Sequence, residues 1–161
     1  MSNTVIPEIQ ALIWSTEICR THREALQDAL SDLKERRIGL PDFMEPDKAV
    51  RRLLDQFAYR YTRLQDDMGA KLIPNILRAL GEEIAAMPAL DRYARMEQIG
   101  WLESAEEWGE LRHTRNEFTH DYPEDAGERL VRLQLAMAAG ERLLQILEGF
   151  MSRLRERDLI P

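Results

Sequence analysis

The chain has 161 residues, a length that suits one domain and leaves little room for two. Hydrophobic residues make up 44% and charged residues 32%, which excludes a disordered chain and fits a soluble globular core. A formal net charge of −7 argues against a nonspecific nucleic-acid coat, and leaves room for a small basic pocket on an acidic body.

The single cysteine, Cys19, has no partner for an internal disulfide and reads as a small buried hydrophobe. The N-terminal residues show no basic stretch followed by an apolar run and a small-residue cleavage site. No apolar run approaches the roughly 20 residues that a membrane helix needs. The expected setting is therefore a reducing cytoplasm, with no membrane partner.

Helical periodicity runs along almost the whole chain, and no alternating strand pattern of useful length is present. Residues 1–8 read as a flexible N-terminal segment. From Ile9 to Arg37, Leu12, Cys19, Leu26, Leu30 and Leu33 recur at helical spacing, and Gly39 and Pro41 stop the run. The stretch Ile38 to Pro46 reads as a loop, and Asp47 as the cap of the next helix. That helix carries Val50, Leu53, Leu54, Phe57, Tyr61, Leu64 and Met68 on one face. Pro74 is expected to kink or interrupt it, because proline removes a donor and crowds the preceding turn.

Gly81 and Pro88 bracket a connection to a short helix, Leu90 to Ile99, which Gly100 closes. Ser104 to Glu107 has the form of a capping box, with Ser104 as cap and Glu107 reaching back. The helix it opens should end near Asp121, because Pro123 biases Tyr122 away from helical geometry. The last helix runs from about Asp125 to Arg157, with Leu130, Leu133, Met137, Leu144, Leu147, Met151 and Leu154 in register. Long amphipathic helices with short connections predict an all-α fold. The expected form is an antiparallel up-and-down four-helix bundle with one additional short helix, in a single domain over residues 1–161.

The chemistry concentrates in the helix after Ser104. Trp108, Leu111, Arg115, Phe118 and Tyr122 fall on one stripe, so Arg115 interrupts an apolar face. A guanidinium there must be paired or must line a cavity, since an unpaired buried charge costs several kcal/mol. Asn116 and His120 are four residues apart on a neighbouring face, and Arg112 precedes them on it. These residue types suit phosphodiester cleavage. Histidine moves protons near neutral pH, arginine binds a phosphate and stabilises its developing charge, and asparagine orients either partner. If the substrate is RNA, its own 2′-hydroxyl is the nucleophile and no metal or cofactor is needed.

The motif Arg115, Asn116, Glu117-Phe118-Thr119, His120, followed by Tyr122, resembles the active motif of HEPN domains, and of their HepT-like branch in particular. The approach to it (Leu90 to Gly100, then Trp108 and Leu111-Arg112) and the segment Phe57 to Gly69 are similar to relatives encoded beside minimal nucleotidyltransferases. The resemblance implies a metal-independent ribonuclease toxin that acts as a homodimer. Arg115, Asn116 and His120 would be its catalytic residues and Arg112 a substrate-binding residue. It also implies a nucleotidyltransferase antitoxin as partner, with Tyr122 as the acceptor of AMP. An alternative drawn from the same relatives is a non-catalytic nucleotide- or substrate-binding partner of the nucleotidyltransferase.

Structural explanations stand beside these. Arg115 would pair with a carboxylate from another helix, Asp66 or Asp67. His120 would satisfy helix-end carbonyls, and Tyr122 would anchor the core. His22, between Arg20 and Arg23, reads as lying on a solvated face. His113 reads as a solvent or rim residue. Trp14, Trp101 and Trp108 read as core or dimer interface.

Overall fold

The computed structural model describes residues 6–120 and 123–161, so Asp121, Tyr122 and the first five residues lie outside it. The described residues form α1 (Pro7–Arg36), α2 (Leu40–Met44), α3 (Lys48–Asp67), a π-helical turn (Met68–Leu72), α4 (Ile73–Ala79), α5 (Ala89–Gln98), α6 (Ala105–His120) and α7 (Ala126–Glu156). No strand occurs among them, and none of the helices is long and apolar enough to cross a membrane.

The long helices alternate in direction. On α1 and the α3–α4 run, Asn75 donates to the Ala11 carbonyl, His22 meets Asp67, and Arg36 bonds Asp47, so one index rises as the other falls. Lys34 pairs with Glu141 and Arg23 with Glu148, which sets α1 antiparallel to α7. Arg142 reaches Glu107, and Arg132 the Glu117 carbonyl, which sets α7 antiparallel to α6. Phe57 stacks edge-on against Phe118, while Gly69 lies beside Trp108, so α6 closes the ring against α3. The result is the expected all-α, up-and-down bundle.

Sequence periodicity explains each buried face. Leu12, Cys19, Leu26 and Leu33 recur every seven residues along α1 and are fully buried or nearly so. Burial pushes the Cys19 thiol up to about 12, which fits a packing role and not a nucleophile. Helix α1 starts at Pro7, two residues before Ile9, because proline suits a first helical position. It ends at Arg37 in left-handed geometry, φ 54°. Asp47 caps α3 by accepting from the Val50 N–H at 2.8 Å, and Asp125 caps α7 through Glu128.

Several local expectations need correction. The stretch Ile38 to Pro46 is not all loop: it carries α2, which seats Phe43 in the core. The interruption expected of Pro74 falls just before it, between the end of α3 at Asp67 and the start of α4 at Ile73. The π turn there absorbs the misfit, with the Ile73 N–H bonding the Met68 carbonyl five residues back. Ser104 does cap α6, through the Glu107 N–H. The Glu107 side chain does not reach back, because Arg142 of α7 holds both its oxygens. Trp101 and Trp108 are core, but Trp14 is 55% exposed, with the Lys71 ammonium over its ring.

His22 is also placed differently. It is buried between α1 and α3, with Nε2 3.1 Å from Asp67 Oδ2 and Nδ1 3.1 Å from Arg60 Nη1. Arg63 and Lys71 flank the same carboxylate at 3.7 and 3.4 Å. Burial holds His22 below the ordinary histidine value; Asp67 opposes the shift, and Arg60 and Arg63 add to it. Neutral imidazole is thus the form the folded state prefers. The contribution is complete above the ordinary value of about 6.5 and is lost as pH falls from there through the depressed native value. Urea midpoints measured from pH 8 to 5 should fall below pH 6.5, and His22→Gln should flatten that part of the profile.

Candidate functional site

Helix α6 carries the site. Trp108, Leu111 and Arg115 are its buried residues, and Phe118 is half-buried with its ring centroid 5.5 Å from that of Phe57. The apolar stripe therefore forms with a guanidinium in it. The Arg115 side chain is 6% exposed, and Nη1 donates to Asp66 Oδ1 on α3 at 2.9 Å. Of the two neighbouring carboxylates, Asp66 serves α6 and Asp67 serves α1, because successive residues of a helix point about 100° apart. Arg115 Nε is buried with no hydrogen-bond partner. Close by, the Tyr61 hydroxyl donates to the Leu111 carbonyl at 2.9 Å. Burial raises that phenol's pKa, and the Arg115 charge works against the rise.

Arg112, Asn116 and His120 follow one another at four-residue steps, about 6 Å per step along the axis. Arg112 and His120 are exposed and Asn116 is half-buried, so the structure brings these three onto one accessible face. Arg115 lies on the adjoining face, committed to Asp66. Tyr122 lies outside the described residues. His113 pairs on the surface with Glu117 at 2.9 Å.

Two cavities adjoin α6. One, of about 360 Å³, lies at its C-terminal end between Phe118, Thr119, Arg51, Arg129 and Arg132. The other, also about 360 Å³, lies at the Arg112 end between α3, the π turn, α5 and α6. Gln65, Asp66, Gly69, Tyr93, Trp108 and Arg112 line it. Neither cavity is lined by Asn116 or His120, so within one chain those two face outward as a stripe and not into a cleft. Among the described residues, no group of His, Cys, Asp or Glu has the form of a metal site.

Sequence reasoning missed Gln65. It is 2% exposed, and neither its amide nitrogen nor its amide oxygen has a hydrogen-bond partner. The signal was its register: Gln65 follows Tyr61 by four residues and precedes Gly69 by four, on a face that packs inward. No known protein family, curated protein or solved structure matches this chain.

The Arg115–Asp66 pair sets the stability of the site. Removing the Asp66 charge strands a buried guanidinium, while the 48% exposure of Asp66 lets water offset part of the loss. Asp66→Asn should therefore lower the unfolding free energy by about 1–2 kcal/mol. In a double-mutant cycle with Arg115→Met, the two losses should not add; simple additivity would show that the pair carries no coupling.

Proposed function

We propose that this chain is a metal-independent endoribonuclease of the HEPN type, the toxin of a pair whose antitoxin is a minimal nucleotidyltransferase. The observation that carries this reading is the α6 surface itself. Arg112, Asn116 and His120 share an accessible face, and the ion pair of the buried Arg115 with Asp66 fixes the helix behind them.

The chemistry follows from the residue types. The RNA 2′-hydroxyl attacks the adjacent phosphorus and His120 accepts its proton. The phosphorus–O5′ bond breaks, and a second histidine protonates the leaving oxygen. One chain offers one such histidine on this face, so the second would be His120 of another copy, with the two stripes facing each other. Arg112 meets the charge that develops on the phosphoryl oxygens, and Arg115, buried behind it, lends positive potential. Asn116 orients the phosphate. The products are a 2′,3′-cyclic phosphate and a 5′-hydroxyl.

A second reading is a non-catalytic nucleotide-binding partner of the nucleotidyltransferase. The commitment of Arg115 to Asp66 favours it, because that guanidinium is already partly neutralised.

Purified protein should cleave RNA in the presence of a chelator. His120→Ala should lower the rate about 100-fold or more while the circular dichroism spectrum stays unchanged. Undiminished cleavage in that variant would overturn the ribonuclease reading, and nucleotide binding without cleavage would favour the second. Co-expression with the partner nucleotidyltransferase should add AMP to Tyr122, visible in the intact mass and absent in Tyr122→Phe. An unmodified mass in the parent chain counts against the pairing.

A further inference from the structure

The cavity between α3, α5 and α6 contains features that packing alone does not explain. Gln65 lines it while only 2% exposed, and both its side-chain amide atoms are buried and unpartnered. Each such group costs about 1–3 kcal/mol when nothing satisfies it, so a chain that keeps one has a reason outside its own folding. The wall beside it is the π turn, a distortion that recurs at functional sites. There the Ile73 N–H is taken by the Met68 carbonyl, and Pro74 has no N–H to offer. The helix therefore supplies neither an i+4 nor an i+5 donor to the carbonyl of Gly69, a residue that lines the same cavity. Gly69 packs closely there, since a Cβ would press on the Tyr93 hydroxyl at 3.0 Å and touch Trp108 at 3.5 Å.

We propose that this cavity is a nucleobase subsite, in which the buried Gln65 amide turns into the cavity and pairs with the edge of one unpaired base of the RNA substrate. A primary amide presents a donor beside an acceptor, the complement of the donor–acceptor pairs on a base edge. The rings of Tyr93 and Trp108, 8% and 1% exposed and packed against each other, back the cavity with apolar surface. Its volume of about 360 Å³ is within the range of small-ligand sites. A phosphate fits poorly inside: Asp66 stands at the wall, and Arg92 is occupied by the carbonyls of Met87 and Ile84. Arg112, exposed at the rim and without an ion-pair partner among the described residues, takes the phosphate outside. Arg112 also begins the stripe that continues through Asn116 to His120. A base held here therefore places its own strand along that stripe and selects which phosphate reaches His120. The choice of RNA as ligand rests on the ribonuclease reading; the fit of the cavity to a base does not.

The test uses the full chain, isotope-labelled and titrated with AMP, GMP, CMP and UMP, and with ribose 5-phosphate as control. At least one nucleotide should shift the Gln65 side-chain amide and Trp108 indole resonances, and ribose 5-phosphate should leave them in place. Gln65→Met should weaken that binding tenfold or more and raise the melting temperature, because an unpartnered amide gives way to an apolar group. Ala70→Leu, which narrows the mouth of the cavity from the exposed side of the π turn, should abolish binding with Gln65 intact. The inference is overturned if no nucleotide moves these resonances, if ribose 5-phosphate moves them equally, or if both variants bind as the parent does. His120→Ala should lose cleavage and keep base binding. A chain that cleaves RNA without binding a base here refutes the subsite alone, and one that binds a base without cleaving refutes the ribonuclease alone.

Discussion

Two consecutive aspartates on one helix organise this molecule. Asp66 turns toward α6 and receives Arg115, while Asp67 turns toward α1 and receives His22, with Arg63 and Lys71 beside it. Each contact is a charge taken partly or wholly out of water, and an unmatched partner on either side would be destabilising. Helix α3 can therefore sit in only one rotation between its two neighbours. A rotation by one residue would offer the wrong carboxylate to one neighbour and Gln65 or Met68 to the other. Apolar packing alone would tolerate more slippage, since Leu64, Met68 and Leu72 are alike in size and chemistry.

The same helix also carries the irregularity at the candidate site. Pro74 requires an adjustment somewhere in the preceding turn, and the chain makes it at Met68–Leu72. The widened turn lies where α5 and α6 approach, and it forms one wall of the cavity at the Arg112 end of α6. The residue that makes the helix awkward is thus set apart from the residues that would use the space. Buried Asn75 repairs the join on the other side by donating to the Ala11 carbonyl and to Ser15 Oγ.

The contrast between Arg115 and its neighbours clarifies what α6 presents. Arg115 is the residue that the periodicity singles out, yet it is the least accessible of the group and already holds an ion pair. Arg112, Asn116 and His120 are unremarkable by composition and are the ones a ligand would meet. In the proposed ribonuclease the buried arginine anchors the helix and lends partial charge, and the accessible stripe touches the RNA. In that proposal a second copy would complete the cleft.

The sequence alone determined the long helices and the short α5, because hydrophobic spacing, caps at Asp47 and Ser104, and stops at Gly39 and Gly100 are local signals with local causes. It also determined that Arg115 must be paired or must line a cavity, since its stripe is otherwise apolar. It could not decide between Asp66 and Asp67, because that depends on the rotation of α3 against two other helices. It misplaced His22, whose charged neighbours Arg20 and Arg23 suggest solvent while its own side chain turns inward to Asp67. It passed over Gln65, because a lone polar residue in an amphipathic run becomes informative only when its surroundings are known to be dry. Burial, partner choice and cavities are products of elements far apart in the chain meeting in space, and only the tertiary structure could settle them.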